Sequence, residues 1–342
     1  MSPSLDRLAF ALHRAPWPVA DLARYLRDAT GRGYGLTRTM LEQRRLVPRP
    51  SACRRCLQHM RIPGVWIGES GLCNACLAHE REYSEARAER ALAEFLDLPH
   101  GDGPDLVMAV SGGKDSTAAL VLAVEELGLK PLAFLVRHEF LDDGAEVRAR
   151  ELCRGLGVPF EVYELSLAGD VRRALRSRTL SPWPCLLCCE AQARAALELC
   201  DRHGIVRVGT GLRTLWEDRH TAVAPAGFAY RHFRVPPRHD VWIANIIPAC
   251  RADEDRQRAA RDRVGWQDPQ IPGNTTNCLL HPVFESLHCR RFGYAWEAER
   301  FLSAELRAGC ISRASAEQAL RSATADLDSE LLALVRRRAS GG

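Results

Sequence analysis

The chain has 342 residues, of which 46% are hydrophobic and 26% charged, and its formal net charge is +4. This composition is that of an ordinary globular protein, which excludes a disordered or fibrous chain, and the mild basic excess permits nucleic acid as a partner without requiring it. The sequence has no run of about 18 apolar residues, and His13 and Arg14 interrupt the apolar stretch near its start. We therefore expect no membrane span, no signal peptide and a cytoplasmic location.

The chain divides into five predicted segments. A helical unit over residues 1–50 comes first, followed by a cysteine-rich segment over 51–80 and a charged connecting helix over 81–104. Short apolar strands then alternate with helices over 105–293, and the remaining segment, 294–342, has helical periodicity. Strands that alternate with helices predict an α/β domain with a doubly wound parallel sheet.

Four of the thirteen cysteines form two C-x2-C pairs in the second segment, with sixteen residues between the pairs. In a reducing compartment, clustered cysteines more often bind metal than form disulfides. The spacing is typical of a structural zinc ribbon with four thiolate ligands, and the alternative is a set of unrelated buried cysteines. The predicted zinc ligands are Cys53, Cys56, Cys73 and Cys76.

The stretch MAVSGGKDST, residues 108–117, places a glycine-rich turn between a predicted strand and a predicted helix. Such a turn presents backbone N–H groups and a helix N-terminus to an anion, and Lys114 adds positive charge. It is not a Walker loop, because Asp115 stands where that motif needs a hydroxyl for Mg²⁺. The predicted phosphate-binding residues are Ser111, Gly112, Gly113, Lys114, Asp115 and Ser116.

SGGKDS resembles the pyrophosphate loop of the N-type ATP pyrophosphatases, the PP-loop superfamily. The resemblance implies an adenine nucleotide alpha hydrolase-like fold that binds ATP and Mg²⁺. The loop would hold the β- and γ-phosphates while AMP is transferred to a substrate oxygen, with Asp115 as a catalytic residue and Gly209 near the ATP. A nucleophile then displaces AMP. One departure is VGTGLRTLWED in place of the G-H-x-x-D-D element of some relatives, where Asp218 is a candidate for Mg²⁺.

A second group of cysteines lies within the predicted α/β segment. Cys185 and Cys188 form a C-x-x-C just before a predicted helix, with Cys189 adjacent, and Cys278 follows about ninety residues later. This order and spacing resemble the [4Fe–4S]-dependent tRNA 2-thiolation enzymes of the same superfamily. The resemblance implies that Cys185, Cys188 and Cys278 hold a [4Fe–4S] cluster whose fourth iron presents sulfide to the adenylated carbon.

That resemblance also implies a set of partners. They are a sulfur donor or carrier protein, a tRNA or small-molecule substrate, and a second copy of the chain, because such enzymes are often homodimers. A cluster-free alternative keeps the sulfur chemistry but places a persulfide on Cys188 or Cys278. The role of Cys189 stays open.

Two further alternatives come from the ends of the chain. The segments CRRC and GLCNAC, VGW, and RRFGYAWEAERFLSAELRAGCISRASAEQAL resemble the N-acetyl sugar amidotransferases, which take ammonia from a glutaminase partner. If ammonia were the nucleophile, the three thiolate ligands Cys185, Cys188 and Cys278 would have no role. Their presence favours sulfur as the nucleophile. A zinc-ribbon nucleic-acid binder with a degenerate ATP site is the third hypothesis, and the intact SGGKDS argues against it.

Three residues near these motifs have less specific predictions. His281 and His288 follow Cys278, and we expect structural histidines with hydrogen-bond partners, the alternative being that one of them faces the substrate. Arg213 follows the turn after the fourth predicted strand, and it either meets phosphate or lies in solvent.

Overall fold

The computed structural model describes residues 52–60, 62, 65–214, 230–235, 239–269 and 277–341. The predicted helical unit over 1–50 and the candidate Mg²⁺ ligand Asp218 lie outside these residues. No helix in the described ranges combines the length and hydropathy needed to cross a bilayer.

Strands and helices alternate through the central part of the chain. The described strands are β1 (Leu106–Ala109), β2 (Pro131–Arg137), β3 (Phe160–Glu164), β4 (Arg207–Thr210), β5 (Tyr230–Val235) and β6 (His239–Asn245). The described helices are α1 (Asn74–Glu82), α2 (Glu85–Leu96), α3 (Lys114–Glu125), α4 (Ala145–Gly155), α5 (Ala168–Arg176), α6 (Pro184–His203), α7 (Ile246–Ala249), α8 (Glu254–Arg263), α9 (Leu280–Phe292), α10 (Trp296–Arg307), α11 (Arg313–Thr324) and α12 (Ser329–Ser340).

The strands form one sheet in the order β3-β2-β1-β4-β6-β5. Strands β3, β2, β1, β4 and β6 are mutually parallel, and β5 pairs antiparallel with β6 at the edge. The predicted doubly wound α/β architecture is therefore confirmed, with an additional antiparallel edge strand. The chain leaves β1 towards one edge of the sheet and leaves β4 towards the other, so these two neighbouring strands form the switch point of the sheet. In sheets of this kind, ligands bind in the crevice at the carboxyl ends of the two strands.

Helices cover both faces of the sheet because β1 is apolar on both sides. Leu106 and Met108 pack among residues of α3, α4 and α8, whereas Val107 packs against α6. All three side chains are fully buried. A strand buried on both faces reads as a continuous apolar run, as LVMA does here.

Some helix boundaries differ from the predicted ones. The charged stretch over 81–104 is not one helix, because α1 ends at Glu82 and α2 begins at Glu85. The prediction that the C-x-x-C precedes its helix is also wrong. Helix α6 begins at Pro184, and proline is favoured in the first turn of a helix, where its missing N–H has no partner to lose.

The carboxyl-terminal helices cover the carboxyl end of the sheet. Val335 and Ala339 of α12 are buried in an apolar cluster with Phe140, which follows β2, and with Trp183, which precedes α6. The same cluster contains the start of α9 and one face of α5. The tail is therefore packed beside the carboxyl end of β2.

His288, on α9, makes folding stability dependent on pH. It is fully buried, and its Nδ1 lies 2.9 Å from the carbonyl oxygen of Tyr294. Burial lowers the pKa of His288 to about 4. In the unfolded chain this histidine takes up a proton near pH 6.5. The contribution of neutral His288 to the free energy of unfolding is therefore fully present above that pH and is lost as the pH falls through 4.

We expect this loss to reach about 3 kcal/mol, from 1.36 kcal/mol per pKa unit. His288→Phe should make the free energy of unfolding depend less steeply on pH between 6.5 and 4, as measured by urea titration at several pH values. The exposed His203→Asn is the control and should keep the wild-type slope. An equal slope in His288→Phe and wild type would refute the assignment.

Candidate functional site

The SGGKDS turn links β1 to α3 at the switch point of the sheet. Gly112 has a φ of +73°, and a Cβ at this position would lie 2.2 Å from the carbonyl oxygen of Ala145. Gly113 is extended and is the N-cap of α3. The Ser116 hydroxyl lies 3.2 Å from that of Ser111, and it donates to the Gly113 carbonyl. The turn thus needs glycine at its centre and is held closed by its own serines.

Donors from other elements hold the carbonyl groups of this turn. The Gly112 oxygen accepts hydrogen bonds from Arg148 Nε (3.2 Å) and Trp266 Nε1 (3.1 Å). The Ser111 oxygen accepts one from Asn277 Nδ2 (3.1 Å). With its carbonyls fixed in this way, the turn keeps the geometry in which a helix N-terminus receives an anion.

The end of β4 packs closely against the turn. A Cβ on Gly211 would lie 2.9 Å from the backbone nitrogen of Ser116, and one on Gly209 would lie 3.1 Å from Leu106. Small residues are therefore required at both positions by packing. The structure places Gly209 between β1 and α7, and its contact with ATP stays a prediction.

A chain of charged side chains begins in the turn, where they are partly exposed, and ends buried in the tail. Lys114 Nζ lies 3.6 Å from Asp115, Asp115 lies 3.3 Å from Arg213 Nε, and Arg213 Nη2 lies 2.8 Å from Glu305 on α10. Arg213 is only 6% exposed, so of its two predicted positions the one in solvent is wrong. Glu305 was not predicted from the sequence, because one glutamate on a helix of mixed polarity carries no distinguishing pattern.

The pKa values of the two carboxyl groups, Asp115 and Glu305, are shifted in opposite directions. Burial disfavours the ionised form of Asp115, but Arg213 and Lys114 outweigh it and lower the pKa of this carboxyl. Burial raises the pKa of Glu305 to about 7 despite the contact with Arg213. Arg213 and Lys114 therefore favour the ionised form of Asp115, which contacts both of them beside the turn.

Cys278 is held against the loop that follows β2. It forms an isolated antiparallel bridge with Leu141, and the Leu279 N–H donates to the carbonyl oxygen of Phe140 (2.9 Å). Cys185 and Cys188 lie in the first two turns of α6. All three cysteines pack against the apolar cluster under the tail, so residues far apart in the chain come together at one end of the sheet.

The three thiols share an apolar and electrostatically coupled pocket. Burial raises the pKa of Cys188 to about 11, and it raises the pKa of Cys185 well above its usual value; charge on Cys278 adds to both shifts. Burial also raises the pKa of Cys278, against hydrogen bonds from the backbone at the start of α9. Gln192 Nε2 lies 3.3 Å from the Cys188 sulfur. At neutral pH these thiols are protonated unless a cation stabilises the thiolates.

The other four cysteines form a compact group whose sulfurs lie within 4.8 Å of one another. The Cys53 and Cys76 sulfurs are 3.7 Å apart, and those of Cys56 and Cys73 are 3.6 Å apart. Zinc–sulfur bonds of 2.3 Å at tetrahedral angles require sulfurs about 3.8 Å apart. All four side chains are buried, and the Cys73 N–H donates to the Cys53 sulfur at 3.2 Å. The group can hold a metal ion, and its geometry fits zinc.

Removing that metal is expected to unfold the segment around it. The cluster buries Ile62, Val65 and Tyr294 together with the cysteines, which is too little apolar surface for a core of its own. Cys56→Ser should lower the free energy of unfolding by several kcal/mol, because structural zinc contributes about 10 kcal/mol to the folding of isolated zinc-finger peptides. Hydrogen exchange over residues 65–82 should become fast. Cys250→Ser, outside both cysteine groups, should not have this effect; unchanged exchange in Cys56→Ser would contradict a structural role.

Comparisons with known proteins give distant likenesses. No protein-family model matches the chain. The uncharacterized protein MJ1599 of Methanocaldococcus jannaschii is 23% identical over 214 residues, which is 63% of this chain and 71% of that protein.

Among solved structures, the chain is similar to three enzymes. The NMN synthetase from Francisella tularensis is 12% identical with a TM-score of 0.34 and covers 76% of this chain and 94% of its own. The NH3-dependent NAD synthetase from Campylobacter jejuni is 13% identical with a TM-score of 0.34, and the match covers 78% of this chain and 94% of that enzyme. The U34-tRNA thiolase NcsA from Methanococcus maripaludis, with its [4Fe–4S] cluster, is 15% identical with a TM-score of 0.39, and the match covers 82% of this chain and 91% of that enzyme. TM-scores below 0.5 do not assign an activity.

Proposed function

We propose that this chain is an ATP-dependent sulfurtransferase. It binds MgATP at the SGGKDS turn, adenylates a carbonyl-type oxygen of its substrate, and replaces that oxygen with sulfur. AMP and pyrophosphate are the other products. The observation that carries the proposal is the hydrogen bond from Asn277 to the Ser111 carbonyl, because it fixes Cys278, the next residue, beside the phosphate-binding turn.

The use of ATP is supported by the geometry of the turn. The N-terminus of α3 and the backbone of Gly112 and Gly113 are arranged to receive phosphate oxygens. Lys114 would neutralise the departing pyrophosphate. Asp115 would keep Lys114 and Arg213 in place, since it contacts both.

The use of sulfur is supported by the pocket of Cys185, Cys188 and Cys278. Three thiols that burial keeps protonated are poor nucleophiles as they stand, which disfavours the persulfide alternative. They are suitable metal ligands, because a thiol that coordinates a metal binds as the thiolate and releases its proton to the solvent. A [4Fe–4S] cluster held by three cysteines, when bound, supplies an iron without a protein ligand at which sulfide is delivered. The neighbouring turn would hold the activated substrate within reach.

The remaining elements of the proposal concern zinc and the partners. Zinc would occupy the group of Cys53, Cys56, Cys73 and Cys76 in a structural role. The substrate is a tRNA base or a small molecule, and the sulfur comes from a donor or carrier protein. A homodimer is the oligomeric state we propose.

A sugar amidotransferase is the second candidate, and one observation favours it. The two carboxyl-terminal segments that resemble those enzymes both contact the site. Trp266, in VGW, donates to the turn, and Glu305, in the tail, pairs with Arg213. In this case ammonia from a glutaminase partner replaces sulfur as the nucleophile.

The deciding experiment is iron and sulfide analysis of the full chain purified without oxygen, together with its visible absorption spectrum. About four irons and four sulfides per chain are expected. AMP formation from ATP should then depend on a thiolation substrate. A chain that takes up no iron after reconstitution, but forms AMP with ammonia and an amidated sugar product, would replace the sulfurtransferase by the amidotransferase.

A further inference from the structure

Three side chains beside the cysteine pocket form a group that the proposed function does not use. His281 and Glu285 are four residues apart on α9 and so lie on one face of that helix, and Glu297 is in the first turn of α10. One ligand atom from each lies within 4.8 Å of the other two. Among the described residues, only this group and the four-cysteine group bring three or more such atoms so close together.

The two glutamates are buried carboxylates placed side by side. Glu285 is 0% exposed and Glu297 is 6% exposed. Two adjacent carboxylates in an apolar setting cannot both stay ionised without a cation between them. Something positively charged, either a proton or a metal ion, must therefore occupy this position.

The atoms of Glu285 and His281 favour a metal ion. Oε1 of Glu285 accepts the Ala298 N–H at 3.3 Å, which fixes the carboxylate. Its second oxygen, Oε2, is buried and has no hydrogen-bond partner among the described residues, and the same is true of Nδ1 of His281. His281 therefore departs from the expectation of a structural histidine, whereas Nδ1 of His288 contacts the Tyr294 carbonyl oxygen and only its Nε2 is without a partner.

Glu297 is oriented by a neighbour in the manner of a metal-binding carboxylate. Its Oε2 accepts a hydrogen bond from Trp183 Nε1 at 2.6 Å. Carboxylates and imidazoles that bind metals are commonly fixed by such an outer partner, which sets their direction before the ion arrives. Trp183 lies two residues before Cys185, so the same segment holds the carboxylate and the first thiol.

We propose that His281, Glu285 and Glu297 bind a divalent transition-metal ion, of the class of Mn²⁺ and Zn²⁺, at a site distinct from both groups of cysteines. Three protein ligands with one imidazole and two carboxylates leave at least one coordination position open, as in catalytic rather than structural sites. Water or an oxygen of the substrate would take that position. The site adjoins the cysteine pocket, since Cys278 is three residues before His281.

The experiment is a Mn²⁺ titration of the full chain in the absence of ATP, followed by electron paramagnetic resonance of the free ion. Mn²⁺ is the probe because it prefers oxygen and nitrogen to thiolate ligands and so avoids both cysteine groups. We expect one Mn²⁺ per chain, displaced by one equivalent of Zn²⁺ added beyond the amount that the cysteines hold, because Zn²⁺ binds nitrogen and oxygen ligands more tightly than Mn²⁺ does. Glu285→Gln and His281→Ala should each weaken binding by at least about tenfold.

Glu299→Gln is the matched control. Glu299 is a buried glutamate on the same helix as Glu297, but it faces His59, 3.1 Å away, instead of the proposed site. Its replacement should leave Mn²⁺ affinity unchanged, and Asp115→Asn should do the same, which excludes binding at the phosphate loop. Circular dichroism confirms folding of each variant.

The wild-type titration keeps the proposal open to refutation even if a variant fails to fold. No bound Mn²⁺, and no Zn²⁺ beyond that held by the cysteines, would mean that a proton fills the position and would overturn the proposal. Binding that persists in both folded variants would do so as well. The result is independent of the proposed sulfur transfer, because neither ATP nor iron is present.

Discussion

Replacing Gly112 by alanine is expected to reduce ATP-dependent AMP formation by on the order of 100-fold or more. The new methyl group would meet the Ala145 carbonyl oxygen at 2.2 Å, and because both partners are backbone, neither can move aside without shifting the turn or α4. A shift of about 1 Å in a positioning element costs roughly 100-fold in rate. The measurement is pyrophosphate release with substrate present, at saturating ATP.

Gly128→Ala provides the control for this substitution. Gly128 also has a positive φ, +65°, but a Cβ there would meet nothing within 4 Å. Both variants carry the strain of about 1–2 kcal/mol of a left-handed residue with a side chain, so the clash is the only difference between them. Wild-type AMP formation in Gly112→Ala, with a folded protein, would remove the phosphate-binding role of the turn.

Cys278→Ala is expected to reduce thiolated product to the background level while ATP is still converted to AMP. The substitution removes one of three proposed cluster ligands, the one that pairs with Leu141 in the loop that follows β2. Iron content should fall with product formation, while zinc in the four-cysteine group stays constant. The measurement pairs product analysis by mass spectrometry with iron, zinc and AMP determination on the same samples.

Cys289→Ala separates the role of Cys278 from that of any cysteine nearby. Cys289 is a half-buried cysteine on α9, eleven residues further along the chain, and it belongs to neither group. It should keep wild-type iron content and turnover. Undiminished product in Cys278→Ala would eliminate the cluster hypothesis, whereas loss of both product and AMP would point to a damaged phosphate-binding turn, through the Asn277 contact.

The parts of the site that are local in sequence were predictable from it. The SGGKDS turn works through consecutive residues between a strand and a helix, and the two C-x2-C pairs each sit on one turn of chain. The spacing within such motifs therefore determines how close their side chains lie to one another. The predicted convergence of Cys185 and Cys188 with Cys278 needed the resemblance to known enzymes, because ninety residues of chain say nothing about distance.

The parts that depend on tertiary packing were not predictable. The pairing of Arg213 with Glu305 joins the end of β4 to the tail, and Glu297 meets His281 and Glu285 across two helices. No sequence period connects them. Helix α8 was also missed, because its charged sequence EDRQRAARDR buries only Gln257 and Ala260 and has almost no apolar stripe.

Helix α10 touches both halves of the site. Glu297, near its start, meets Trp183 beside the cysteine pocket, and Glu305, near its end, meets Arg213 beside the phosphate turn. The two glutamates are eight positions apart on the helix, a rise of about 12 Å. The helix therefore works as a rigid spacer between the SGGKDS turn and the three cysteines. A single inserted residue would turn Glu305 by about 100° away from Arg213, so the two contacts of this helix require a fixed length between them.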